Sequence, residues 1–392
     1  MLRSLTRILP PLGWVILAAA LVLTGSGLLA IYAGEIGSGV RPAGTLRQAA
    51  FLAAAVFAFL VIQLPGYRRF CNWAYLLFAL TLILLGLLVL ARRVPMAPFI
   101  ESRRDAYRWI VLGPVSIQVS EIAKVVYILA LAGYLRFRTN YRTVSGLLGP
   151  FILTLIPTAL ILKEPDLGTS LLLLPTMFVM LFVAGAKVRH LVLFLVLGAL
   201  AAPAFYFSPF MQDYQKKRVR VLINQDSTDK RWRLNEGYQL NQSKIALGSG
   251  GLFGQGFRGG AFFRYNLLPE DHNDFIFAVL GHQWGFFGSA AILVCYLVIF
   301  IAGLTIASMT TDPFGRLLAV GICALLIIQT TINVGMTMGL LPVTGMTLPF
   351  ASMGGSGLVA NYLAIGLLVD VARRRPVSIA PKPFEFDYED EE

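Results

Sequence analysis

Residues 268–278 read LPEDHNDFIFA: a polar segment with three carboxylates and a histidine runs straight into an apolar helix, and Asp274 stands at the join. An ionisable group at such a boundary is costly to desolvate, so it is held there by a partner, by a helix-capping role or by a chemical task. As caps, Asn273 or Asp274 would satisfy the unpaired N–H groups ahead of FIFAVLG. As a reactive group, the carboxylate would face a polar cavity. Spacing alone leaves both roles open.

The chain outward from this join is overwhelmingly apolar. Of 392 residues, 57% are hydrophobic and 14% charged, and the mean hydropathy of +0.71 lies outside the range of soluble domains. Apolar runs of spanning length occur near 12–33, 46–65, 72–91, 119–135, 146–162, 168–186, 190–208, 275–305, 316–340 and 349–371. They predict an all-α polytopic membrane protein of about ten transmembrane helices, with a large extracytoplasmic loop, 209–274, between helices 7 and 8. The first run is too long for a signal-peptide core and is expected to be retained.

Residues 1–376 read as one membrane domain, and 377–392, ending FEFDYEDEE, as a disordered acidic cytoplasmic tail. Arg3, Arg7, Arg68, Arg69, Arg136, Arg138, Lys187, Arg189 and Arg373 fall on one side of this pattern, which places that side and both termini in the cytoplasm. The net charge is nevertheless +12, and the outer loops carry many of the remaining basic residues, among them Arg103, Arg108, Lys216, Arg218 and Lys244. Basic charge on an outer face suits an anionic substrate or lipid headgroup, and topology makes nucleic acid a poor partner.

Cys71, Cys295 and Cys323 have no C-x-x-C spacing and read as packing residues. Walker A, H-E-x-x-H, G-x-S-x-G and the pairing of S-x-x-K with K-T-G are absent, which disfavours ATP hydrolysis and penicillin-type acyl chemistry.

Other constellations surround the aspartate. Glu121 and Lys124 follow Ser120 at the start of the fourth helix and share a face, as an ion pair in a capped helix or as a substrate contact. In KEPDLGT, 163–169, the acids sit at a helix-to-helix turn, as dipole partners or as groups that orient a polar substrate. The glycine-dense run GYQLNQSKIALGSGGLFGQG, 237–256, could offer backbone N–H groups to a pyrophosphate; its G-x-G-x-x-G match follows no strand and carries no weight. Residues 341–357, LPVTGMTLPFASMGGSG, cannot form lipid-facing helix and should line a cavity.

Five ordered motifs, YRWIVLGPVSIQVSEIAK from Tyr107, EPDLGTS from Glu164, GYQLNQSKIALGSGGLFGQG from Gly237, LPEDHNDFIFAVLG from Leu268 and NVGMTMGLLPVTGMTLPFASMGGS from Asn333, resemble the SEDS (RodA/FtsW) family over nearly the whole membrane body. The SKIALGSGGL run looks more like the elongation member than the division member. The resemblance implies ten transmembrane helices and polymerisation of peptidoglycan glycan strands from lipid II at the outer face of the bacterial cell membrane. It further implies a class B penicillin-binding protein and other cell-elongation proteins as partners. Departures stand at Val119, Gln255, Asn273, His282, Gln283 and Met353.

By that resemblance Asp274 matches the catalytic aspartate, and Glu121, Lys124 and Asp166 match residues of the polar cavity. The remaining candidates for substrate binding are Arg108, Gln242, Ser243, Lys244, Glu270, His272, Ser352, Gly354, Gly355 and Ser356. A polyprenyl-diphosphate donor needs a base for the acceptor hydroxyl, whereas its diphosphate leaves unprotonated, so one carboxylate suffices and inversion is expected. Lys244 and Arg108 are the expected cations for the departing charge, or a divalent ion, magnesium or manganese; no organic cofactor is implied. A lipid II flippase would use the same cavity and broken helices, and a catalytically silent scaffold is the third reading.

Overall fold

The computed structural model describes residues 10–37, 42–91, 100–103, 106–112, 115–138, 142–208, 211–225, 229, 232, 235–257, 259 and 273–374. Ten long helices coincide with the ten apolar runs: α1 (Pro11–Gly37), α2 (Ala43–Val61), α3 (Tyr67–Ala91), α4 (Val119–Arg136), α5 (Leu148–Lys163), α6 (Leu167–Ala184), α7 (Val188–Phe207), α10 (Ile276–Ser308), α11 (Pro313–Thr337) and α12 (Gly355–Arg374). Two shorter helices, α8 (Asp213–Ile223) and α9 (Tyr238–Ser249), lie within the long loop. Strands β1 (Ile100–Arg103), β2 (Ala106–Leu112) and β3 (Val115–Gln118) form an antiparallel sheet in sequence order that leads directly into α4.

Nine of the long helices are apolar enough over their length to cross a membrane. The tenth, α4, carries Glu121, Lys124 and Arg136, yet most of its residues between Val119 and Leu135 are buried, and it packs against α3, α11, α6, α12 and α5. Charged groups are admissible there because protein, rather than lipid, surrounds the helix. The reverse holds for α7, whose apolar side chains project outward and in which Leu191 is the buried residue.

One end of the bundle is closed by polar bonds. Asp370 of α12, fully buried, accepts from the Tyr67 amide at 2.6 Å and from Arg374 Nε at 2.8 Å. Arg374 Nη2 donates onward to the carbonyls of Gln63 and Leu64, so the α2–α3 turn and α12 are tied at one seam. At the same end α11 starts on Pro313, with Asp312 as N-cap accepting from the Gly315 amide at 3.1 Å.

Several sequence expectations need correction at the other end. The run at 275–305 is not one straight helix: α10 breaks at Gly285 (φ 65°, ψ −158°) into a short first segment and a long span. The run at 349–371 begins as helix only at Gly355, because 341–348 is irregular and 349–354 turns and bends, as the Pro and Gly content demands. The N-cap of α10 is Phe275, without a side-chain cap bond, so neither Asn273 nor Asp274 fills the cap position. Similarly α4 starts from Gln118 rather than Ser120.

The break at Gly285 would expose backbone groups that hydrocarbon cannot satisfy. The glycine-rich run supplies their partners. Gln255 N and Gly256 N donate to the carbonyls of His282 and Gln283 at 2.9 and 3.1 Å, while Phe286 N and Phe287 N donate to those of Gly251 and Leu252 at 2.9 and 3.2 Å. His282, 2% exposed, adds a 2.7 Å contact between Nδ1 and Ser249 Oγ at the end of α9. Two of the amides expected to cradle pyrophosphate, Gln255 N and Gly256 N, are thus spent on splinting a broken helix.

Candidate active site

Asp274 lies in the turn ahead of α10, at the end of the bundle opposite the Asp370 seam. Its turn is seated by side chains from elsewhere. Asn333 of α11, fully buried, donates from Nδ2 to the Asp274 carbonyl at 2.9 Å and to the Met346 carbonyl at 2.6 Å. Ser352 Oγ donates to the Asn273 carbonyl at 2.6 Å and accepts from Leu348 N at 2.8 Å. The segment 341–354 and α11 therefore fix the join that the sequence exposes.

Two further clusters open on the same end. Lys124 Nζ, 1% exposed as a residue, pairs with Glu121 Oε2 at 2.9 Å and donates to Gln329 Oε1 at 3.1 Å. Gln329 Nε2 in turn donates to the Thr347 carbonyl at 2.9 Å, which links the ion pair to the 341–354 segment. Asp166 is the N-cap of α6: Oδ1 accepts from Thr169 N at 3.1 Å, and Oδ2 accepts from Ser120 Oγ and Thr169 Oγ1, both at 2.9 Å, and from Gln118 Nε2 at 3.1 Å. Its oxygens are committed to joining β3, α4 and α6, which makes it a positioning residue.

Arg108 of β2 donates from Nε to the Glu164 carbonyl at 2.7 Å and from Nη2 to the Pro165 carbonyl, so it clamps the α5–α6 turn. The Glu164 carboxyl beside it is 3% exposed, and neither oxygen has a hydrogen-bond partner among the described residues. Burial, with the Asp166 charge adding to it and Arg108 opposing it, pushes the Glu164 carboxyl up to about 9.

Sequence reasoning counted Arg218 among the loop's basic residues without assigning it a task. The structure brings it to the site: Nη1 donates to the Thr344 carbonyl, and burial lowers its guanidinium from its ordinary value while Asp274, then Tyr214, pull it back up. Arg108 and Asp166 act on both Arg218 and Tyr214, so the two clusters form one electrostatic unit. Asn333 and Gln329 were also missed, since neutral amides within apolar helices carry no charge signal.

Gln242, Ser243 and Lys244 lie on α9. Ser243 Oγ donates to the Thr337 carbonyl at 2.9 Å, docking α9 on the end of α11. Lys244 lines a groove of about 460 Å³ with Leu247, Phe277, Phe286 and Met338. Gly354 N donates to Gln48 Oε1 at 3.1 Å; Gly355 packs on Phe51 where α12 begins, with Ser356 half-buried beside it. Glu270 and His272 lie outside the described residues. Among the described residues no three His, Cys, Asp or Glu side chains converge as a metal site, and both Asp166 oxygens already accept hydrogen bonds.

Fold and site together define a polytopic helical membrane protein with charged side chains gathered at one end of its bundle. The family model FTSW_RODA_SPOVE, described as "Cell cycle protein", matches residues 13–376, and the chain belongs to that family. It is similar to the peptidoglycan glycosyltransferase MrdB of Escherichia coli K12, 34% identical over 94% of each chain. Stage V sporulation protein E of Bacillus subtilis is 36% identical, covering 83% of this chain and 86% of that one. A solved structure described as "Structural coordination of polymerization and crosslinking by a peptidoglycan synthase complex" aligns with a TM-score of 0.76 at 28% identity, over 92% of this chain and 97% of that one.

Proposed function

We propose that the chain is a peptidoglycan glycosyltransferase that polymerises glycan strands from lipid II, in cell elongation and shape maintenance, with Asp274 as its general base. The observation that carries the base assignment is the seating of the Asp274 turn by Asn333 and Ser352 at the one end of the bundle where the Glu121–Lys124 pair, Arg108 and Arg218 also converge. In this reading both termini are cytoplasmic and the chamber faces outward, where lipid II presents its sugars.

The carboxylate of Asp274 takes the proton of the acceptor hydroxyl as that oxygen attacks the donor's anomeric carbon. The bond to the diphosphate breaks with its electron pair on the diphosphate, so no acid is needed, and the donor carbon inverts. The groove beside Lys244 suits the apolar chain and anionic head of such a substrate. A magnesium or manganese ion would arrive with the diphosphate, and loss of activity on chelation tests for it. A class B penicillin-binding protein is the expected partner, consistent with the polymerisation and crosslinking ascribed to the similar complex.

The deciding experiment is a lipid II polymerisation assay on lipid-reconstituted protein, with and without the cognate penicillin-binding protein. Asp274→Asn should keep its melting temperature and partner binding yet form no polymer. Undiminished polymer from that variant removes Asp274 as the base, and translocation of unmodified lipid II without chain growth removes the transferase reading in favour of a flippase.

A further inference from the structure

Gly345, in the irregular segment 341–348, has φ +72°, and a Cβ built on it would lie 3.0 Å from Arg218 Nη2 and 3.3 Å from Asp274 Oδ2. The guanidinium and the carboxylate therefore flank this glycine, no farther apart than the sum of those two distances, with no side chain from position 345 between them. A single oxygen about 2.8 Å from each group fits such a span. A methyl group at 345 would press on both groups.

Arg218 is delivered to this point by a rigid element. A capping box closes the first turn of α8, with Gln212 N donating to Gln215 Oε1 at 3.1 Å, and the guanidinium lies 5.8 Å from the centroid of the Tyr214 ring. Nη1 is anchored on the Thr344 carbonyl, which leaves Nη2 directed at the gap. Among the described residues, the charged and titratable groups acting on Arg218 besides Asp274 are Arg108 of β2, Asp166 ahead of α6 and Tyr214 of α8; α11 presents the neutral Asn333.

We infer that Arg218 is a second catalytic residue: its Nη2 holds the acceptor hydroxyl oxygen between itself and Asp274, beside Gly345, while Asp274 removes that hydroxyl's proton. This rests on the reading of Asp274 as the base. In the transfer the O–H bond breaks, its proton goes to Asp274, the oxygen bonds to the anomeric carbon and the diphosphate leaves with the electron pair. Arg218 offsets negative charge developing on the attacking oxygen and favours the ionised form of the base between turnovers.

The test measures polymerisation rate against pH for the reconstituted full chain with its cognate penicillin-binding protein, comparing wild type, Arg218→Gln, Arg218→Lys and Gly345→Ala, with Asp274→Asn as control. Arg218→Gln should slow the reaction roughly a hundredfold and move the acid limb of the rate profile upward by about one pH unit or more. Arg218→Lys should keep the limb in place with partial rate. Gly345→Ala should lose rate and, with φ at +72°, some melting temperature as well. An Arg218→Gln variant that is slower with its acid limb unmoved would show that Arg218 merely anchors Thr344, and a Gly345→Ala chain of wild-type rate would remove the gap. Should Arg218→Gln fail to fold, Arg218→Lys still decides: a chain of wild-type melting temperature without activity at any pH would overturn the role. Activity in Asp274→Asn overturns the base assignment itself, a separate failure.

Discussion

At the residue scale, the most exposed consequence concerns Glu164. A carboxyl raised from 4.5 to about 9 by burial binds a proton in the folded state across a range where the unfolded chain has lost it. Stability from this group is therefore full below about 4.5, declines as pH rises and levels off above about 9. Glu164→Gln, a neutral isostere, should flatten the pH dependence of the melting temperature over that window and raise it at the alkaline end. A variant whose profile tracks the wild type would mean that Glu164 is ionised in the folded protein. The sequence placed two acids at this turn but could not separate them. Asp166 is met by four hydrogen-bond donors, while the carboxyl two residues earlier meets none among the described residues, and only three-dimensional packing distinguishes the two.

At the element scale, α10 shows what hydrophobic periodicity conceals. Its composition stays apolar on both sides of Gly285, with only His282 and Gln283 polar ahead of the break, so length and hydropathy read as one span. The break becomes intelligible only with the loop at 250–257, which is remote from a helix-based reading and looked like a ligand cradle because glycine serves both purposes. Gly285→Ala would place a Cβ 2.3 Å from Gly254 N and 2.6 Å from the Leu252 carbonyl, at a backbone angle that L side chains rarely adopt. It should destabilise the protein by roughly 1–3 kcal/mol and expose the 250–257 loop to limited proteolysis. Unchanged melting and cleavage would show that the splint is dispensable. Helix existence, by contrast, was legible throughout: all ten apolar runs are helices, since few other structures satisfy backbone groups in hydrocarbon.

At the scale of the whole molecule, polar bonds lock the bundle at both ends while apolar packing fills its middle. Of the site, the charged members Asp274, Glu121, Lys124 and Asp166 were readable because charges in apolar surroundings stand out; their neutral bridges were not. The Glu121–Lys124 pair joins α4 to α11 and to the 341–354 segment through Gln329, so its loss should be felt across the bundle. Lys124→Met alone, leaving a buried unpaired acid, should cost roughly 3–5 kcal/mol, whereas Glu121→Gln combined with Lys124→Met should recover much of it. Thermal unfolding in detergent measures both, and an additive double variant would mean the two groups act independently. A last consequence follows from how Asn333 and Ser352 grip the 273–274 turn by its peptide carbonyls. Address and reagent are encoded separately there: the main chain keeps the position, and whatever side chain stands at 274 inherits it. Substitutions at that one site then form a chemical series at fixed coordinates, in which basicity and reach change while location does not.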